Sequence, residues 1–213
     1  MIIKVCGMKY PENISDLNKL PVDFMGVIFY EKSSRYVDGL NLEEIKIKEG
    51  KELVGVFVNA SEEYIMQMAN RYNLDIIQLH GNESPEFCKK LNETIPVIKA
   101  FSIAEASDFE QTKDYEGLCG YFLFDTKTPQ HGGSGQKFDW QFLNEYKGNM
   151  PFLLSGGISV DDAEAIKQIK HLHFKGIDLN SRFEIKPGLK DINLLHQFLK
   201  ALNNEQDKAT IRK

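Results

Sequence analysis

Apolar residues recur along this chain in short runs separated by longer polar stretches. The runs are IIKVC (2–6), FMGVIFY (24–30), ELVGVFV (52–58), DIIQLH (75–80), PVIKAF (96–101), YFLFD (121–125), PFLLS (151–155) and KGIDL (175–179). Most hold four or more apolar residues, rich in Val, Ile and Phe, and do not alternate cleanly with polar ones. Strands buried on both faces of a parallel sheet read this way. Helix signals fill most of the gaps. Pro11-Glu12-Asn13-Ile14 opens the first, and Asn41-Leu42-Glu43-Glu44 resembles a capping box. Ser61-Glu62-Glu63 starts an amphipathic helix reaching about Tyr72, and Ser84-Pro85-Glu86 sets a proline at the first helical position. Weaker patterns predict helices over 104–113 and 139–146. Ser159-Val160-Asp161-Asp162 caps another, and Leu189 to Leu202 supplies the last.

Strand then helix, eight times over, gives either an open doubly wound sheet or a closed barrel. An open dinucleotide-binding sheet carries G-x-G-x-x-G after its first strand, whereas this turn reads C-G-M-K-Y-P. The expectation is therefore an α/β fold, a (βα)8 TIM barrel in one domain over residues 1–202, with a polar tail over 203–213.

Composition narrows the partners. The 213 residues are 42% hydrophobic and carry a net charge of -5. That balance argues against nucleic acid as a partner, because phosphate backbones reward basic faces. No apolar run approaches the ~20 residues of a membrane span. Lys4 interrupts the first apolar run, so no secretory leader is expected, and the expected location is cytoplasmic. Three widely spaced cysteines, Cys6, Cys88 and Cys119, fit neither a disulfide framework nor a zinc site. His171 and His173 form an H-x-H without the carboxylate or thiol partners a metal site needs, so none is expected.

Barrel enzymes place their chemistry at the carboxyl ends of the strands. Those ends are Cys6, Tyr30, Asn59, Gln78 with His80, Ser102, Asp125, Ser155, and Asp178 with Asn180. Asp125 ends four apolar residues and reads as a loop cap or as a general acid raised in pKa by apolar surroundings. Cys6 reads as an inert core thiol or as a thiol placed where the strand ends. The glycine-rich stretch after Asp125, over 126–137, reads as a lid or as an ordinary long loop. Ser155-Gly156-Gly157-Ile158 and Asn180-Ser181-Arg182-Phe183-Glu184 follow the seventh and eighth strands, where this fold recurrently binds phosphate. Arg35, after the second strand, reads as a carboxylate clamp or as a surface charge.

Taken in order, K-V-C-G-M-K, F-Y-E-K-S-S-R-Y-V, V-G-V-F-V-N, Q-L-H-G-N-E, F-D-T, H-G-G-S-G-Q-K-F-D-W, L-S-G-G-I and P-G-L-K-D resemble the phosphoribosylanthranilate isomerases of tryptophan biosynthesis. The matches run from the first strand to the last helix. The resemblance implies an Amadori rearrangement of N-(5-phosphoribosyl)anthranilate, with no cofactor and a phosphorylated small molecule as substrate. It implies Asp125 as general acid and Cys6 as general base. It also implies Arg35 on the anthranilate carboxylate and phosphate held at Gly156, Gly157, Asn180 and Ser181. Gln78, His80 and Asp178 complete the expected substrate-binding set, in a monomer or homodimer. Two readings compete: a related histidine-pathway isomerase, disfavoured by Cys6 standing where that enzyme looks to use an aspartate, and a non-catalytic phosphate-binding barrel. Arg182 stands where the family usually has glycine.

Overall fold

The computed structural model describes residues 1–37, 39, 47, 49–126 and 138–203. The expected capping box at 41–44, the glycine-rich stretch over 127–137 and the tail over 204–213 lie outside them. Eight parallel strands close into a barrel in chain order: β1 (Ile2–Val5), β2 (Phe24–Ile28), β3 (Glu52–Phe57), β4 (Ile76–Leu79), β5 (Val97–Ile103), β6 (Tyr121–Thr126), β7 (Phe152–Leu154) and β8 (Phe174–Leu179). Closure comes where β1 pairs with β8, setting Lys4 beside Asp178 and Val5 beside Leu179. The expected closed barrel is the observed fold.

The first three helices start where the sequence marks them. In α1 (Pro11–Leu17), proline takes the first turn, where its missing N–H costs nothing. In α2 (Glu62–Tyr72) and α3 (Pro85–Asn92), the hydroxyls of Ser61 and Ser84 accept from the backbone N–H groups of Tyr64 and Phe87. Their buried faces, including Ile65, Met68, Cys88 and Leu91, join the large apolar layer between barrel and helices. A second apolar cluster of Phe24, Val54, Ile76, Ile98, Ala100, Leu123 and Leu153 fills the barrel interior.

Three expectations need correction. The segments read as helices over 104–113 and 139–146 are 3-10 helices, Ala106–Tyr115 and Trp140–Glu145. In the first, Gln111 donates to the carbonyl of Asp108 and Thr112 to that of Phe109, so side chains compete for the carbonyls an α-helix would use. The helix capped by Ser159 begins as a 3-10 turn, Val160–Asp162, and continues as the short α4 (Ala163–Lys167). The last helix, α5, runs Ile192–Asn203 and does not begin at Leu189. Residues 184–190 instead form a hairpin of β9 (Glu184–Lys186) and β10 (Leu189–Lys190). Lys190 is drawn out of helical geometry because Asn13 brackets it, accepting from its N–H and donating to its C=O. Asp191 then caps α5 by accepting from the N–H of Leu194.

Candidate active site

Above the apolar interior the barrel turns polar. Lys4 on β1 is fully buried, and its Nζ lies 3.0 Å from Oδ1 of Asp178 on β8. Burial pulls the Lys4 ammonium down, but its interactions with Asp178 and Cys6 together more than offset it and hold Lys4 above its ordinary value. Cys6 follows two residues later on the same strand face, so Lys4 and Cys6 share the interior. Burial pushes the Cys6 thiol above its ordinary value, against the pull of Lys4 and Lys190 toward the thiolate.

Asp125, the penultimate residue of β6, is nearly out of solvent. Its Oδ1 accepts from the Thr126 N–H at 2.9 Å, and its Oδ2 lies 3.3 Å from Nε2 of His80. Nδ1 of His80 is in turn 3.0 Å from Nε2 of Gln78. Gln78 is 1% exposed, so it reaches the site through His80. Asp178 feels the charges of both Asp125 and His80, which places Lys4, Asp178, Cys6, His80 and Asp125 in one electrostatic neighbourhood.

The two expected phosphate loops flank this group. Gly156 and Gly157 have φ of 89° and 66°, a region L side chains rarely adopt. A Cβ on Gly156 would come within 2.2 Å of Thr126 Oγ1 and 2.9 Å of Asp125 Oδ1, so the β7 loop is seated directly against the carboxylate. Asn180 follows β8, and Ser181 opens the short 3-10 turn Ser181–Phe183, in which Arg182 is exposed and Phe183 buried. Arg35 is held by a bidentate pair with Glu184.

Sequence reading missed four buried charges: Lys4, Glu83, Lys99 and Lys190. Lys99 donates to the carbonyl of Gly81 and to Glu83, while Glu83 accepts from the N–H groups of Asn59 and Gly81. That network fixes the turn carrying His80. The available signal was a lysine inside an apolar run, as in IIKVC and PVIKAF. Among the described residues no group of three or more His, Cys, Asp or Glu side chains is arranged to hold a metal ion. His171 is engaged with the carbonyl of Tyr146.

The sequence model of a family described as N-(5'phosphoribosyl)anthranilate (PRA) isomerase matches residues 3–201. The chain belongs to the phosphoribosylanthranilate isomerase family. Among its relatives, the N-(5'-phosphoribosyl)anthranilate isomerase of Parabacteroides distasonis is 52% identical, over 95% of this chain and 93% of that protein. That of Phocaeicola vulgatus is 47% identical, over 96% and 99%. The solved phosphoribosyl anthranilate isomerase of Thermotoga maritima superposes with a TM-score of 0.84 at 32% identity, covering 96% of this chain and 100% of that one. Another solved family member, 29% identical with a TM-score of 0.80 over 96% and 100% of the two chains, holds reduced 1-(o-carboxyphenylamino)-1-deoxyribulose 5-phosphate.

Proposed function

We propose that this chain isomerises N-(5-phosphoribosyl)anthranilate to 1-(2-carboxyphenylamino)-1-deoxyribulose 5-phosphate in tryptophan biosynthesis, with Asp125 as general acid and Cys6 as general base. Family membership supports the reaction. The observation that carries the assignment of roles is the polar group at the barrel mouth, where Asp125 and Cys6 end two strands around the buried Asp178.

Opening the furanose requires a proton on the ring oxygen, which protonated Asp125 supplies. The resulting iminium withdraws electrons from C2, and the Cys6 thiolate takes the C2 proton. The enolamine then tautomerises, losing the proton on the C2 hydroxyl and gaining one at C1. Carbon 1 is reduced as carbon 2 is oxidised within one molecule, so the reaction balances without an external oxidant or reductant.

Burial makes Cys6 a thiol at rest. The base is therefore generated as the iminium forms: the Cys6 proton passes to solvent, which returns one to Asp125, and the iminium cation holds the thiolate together with Lys4 and Lys190. Cys6 acts as a base and makes no covalent adduct. Glycine-rich backbone at 156–157 and the turn at Asn180 and Ser181 receive the phosphate, and Arg35 receives the aryl carboxylate. Residues 1–202 form the catalytic unit, working as a monomer or homodimer in the cytoplasm.

The test is turnover of freshly made N-(5-phosphoribosyl)anthranilate by the purified chain, followed as loss of substrate fluorescence. The proposal expects loss proportional to enzyme concentration and a product of unchanged mass. A rate equal to the buffer control contradicts it.

A further inference from the structure

Glu184 is the most heavily engaged carboxylate near the site. Its Oε1 lies 2.9 Å from Nε of Arg35 and its Oε2 lies 3.1 Å from the same nitrogen and 2.6 Å from Nη2. Oε1 also accepts from Lys190 Nζ at 2.6 Å and from the Gly188 N–H at 3.0 Å. A carboxylate offers about four lone-pair positions, so these partners leave Glu184 no capacity for a ligand. Its side chain is 4% exposed, against 12% for Arg35. Glu184 is therefore a fixed anchor and not a stand-in that substrate displaces.

We propose that Glu184 is a positioning residue that sets Arg35 to receive the substrate's aryl carboxylate, and that Lys190 holds Glu184 in place. This rests on the functional reading above. Glu184 takes the Nε–Nη2 edge of the guanidinium and leaves the Nη1–Nη2 edge, which matches a second carboxylate end-on. Two cations around one anion leave a net charge of +1, which an aryl carboxylate neutralises. The Arg35 stem is pinned as well: its Cδ lies only 2.6 Å from where a Cβ on Gly7 would sit.

Lys190 extends the device. Its Nζ donates to Asn180 Oδ1 at 2.7 Å as well as to Glu184. The β9–β10 hairpin thus links the residue assigned to the carboxylate, Arg35, with one assigned to the phosphate, Asn180.

The experiment compares wild type and Glu184→Gln on two substrates: N-(5-phosphoribosyl)anthranilate, and N-(5-phosphoribosyl)aniline, which lacks the carboxylate. With the anthranilate substrate, Glu184→Gln raises KM about 10- to 100-fold, the size of one lost charge-assisted hydrogen bond, and leaves kcat within about threefold. With the aniline substrate, the two enzymes have the same KM within about twofold. Should Glu184→Gln fail to fold, as a circular dichroism melt will reveal, the same comparison is made with Glu184→Asp, which keeps the buried charge beside Lys190 but withdraws it from Arg35. An equal loss on both substrates, or no loss on either, overturns the positioning role while leaving the reaction intact. A wild type that turns over neither substrate overturns the functional reading and this proposal together.

Discussion

Nε2 of His80 sits 3.3 Å from Oδ2 of Asp125, and the opposite ring nitrogen lies 3.0 Å from Nε2 of Gln78. His80 orients Asp125, and Gln78 braces the His80 ring from its other nitrogen. His80→Ala should lower kcat at least about 10-fold, because an acid that wanders from its proton acceptor loses part of the ~10²–10⁴ that general acid catalysis supplies. Gln78→Leu should act in the same direction, less strongly. Steady-state kinetics check both, and an unchanged kcat in His80→Ala removes His80 from this role.

Lys4 and Asp178 form an ion pair in the barrel interior, with side chains 0% and 5% exposed. Removing one partner strands the other charge. Lys4→Met should cost about 3–5 kcal/mol in urea unfolding. Lys4→Met/Asp178→Leu should recover part of that loss, because the pair is then replaced by apolar groups. A single variant as stable as wild type would show that the pair contributes nothing.

Cys6 should be a thiol at neutral pH, because burial holds it above its ordinary value of 9.0. Cys88 and Cys119 are pushed to about 11 and about 12, again by burial. Alkylation by iodoacetamide should therefore be slow at pH 7 and accelerate as pH rises beyond 9. Lys4→Met removes a cation that lowers the Cys6 value, so it should move the Cys6 alkylation profile to still higher pH. Mass spectrometry of the modified peptides separates the three sites. Rapid Cys6 labelling at pH 7 in wild type contradicts the resting thiol.

Lys190 gives a stability signature with a definite sign. Burial pulls it from 10.5 down to about 8, against the attraction of Glu184. Between those values the unfolded chain binds more protons than the folded one, so this residue's contribution to stability rises with pH from about 8 to 10.5. The stability difference between wild type and Lys190→Met, measured by urea unfolding at each pH, should therefore shift in favour of wild type across that window. A pH-independent difference contradicts the depressed value.

The barrel was legible because its strands are buried on both faces and read as uninterrupted apolar runs. Once the barrel is read, the strand ends name Cys6, His80 and Asp125, which the structure sets in one electrostatic neighbourhood with Asp178. The hairpin Glu184–Lys190 was not legible, because Asn13, some 177 residues away in sequence from Lys190, takes the backbone bonds of residue 190. The partnership of Arg35 with Glu184 has the same character, spanning 149 residues. Segment 104–113 misled for a local reason: its polar side chains bond to its own carbonyls and tighten the helix. Lys4 was visible as an oddity inside an apolar strand, but its meaning depends on β8 closing against β1.

The claim at the centre of this account is that Asp125 and Cys6 divide the proton transfers between them. It is tested most directly by the turnover of N-(5-phosphoribosyl)anthranilate by Cys6→Ala and Asp125→Ala, each confirmed folded by its melting curve. Each variant should lose about 10²–10⁴ in kcat or more. Near-wild-type turnover in either one would contradict the role given to that residue.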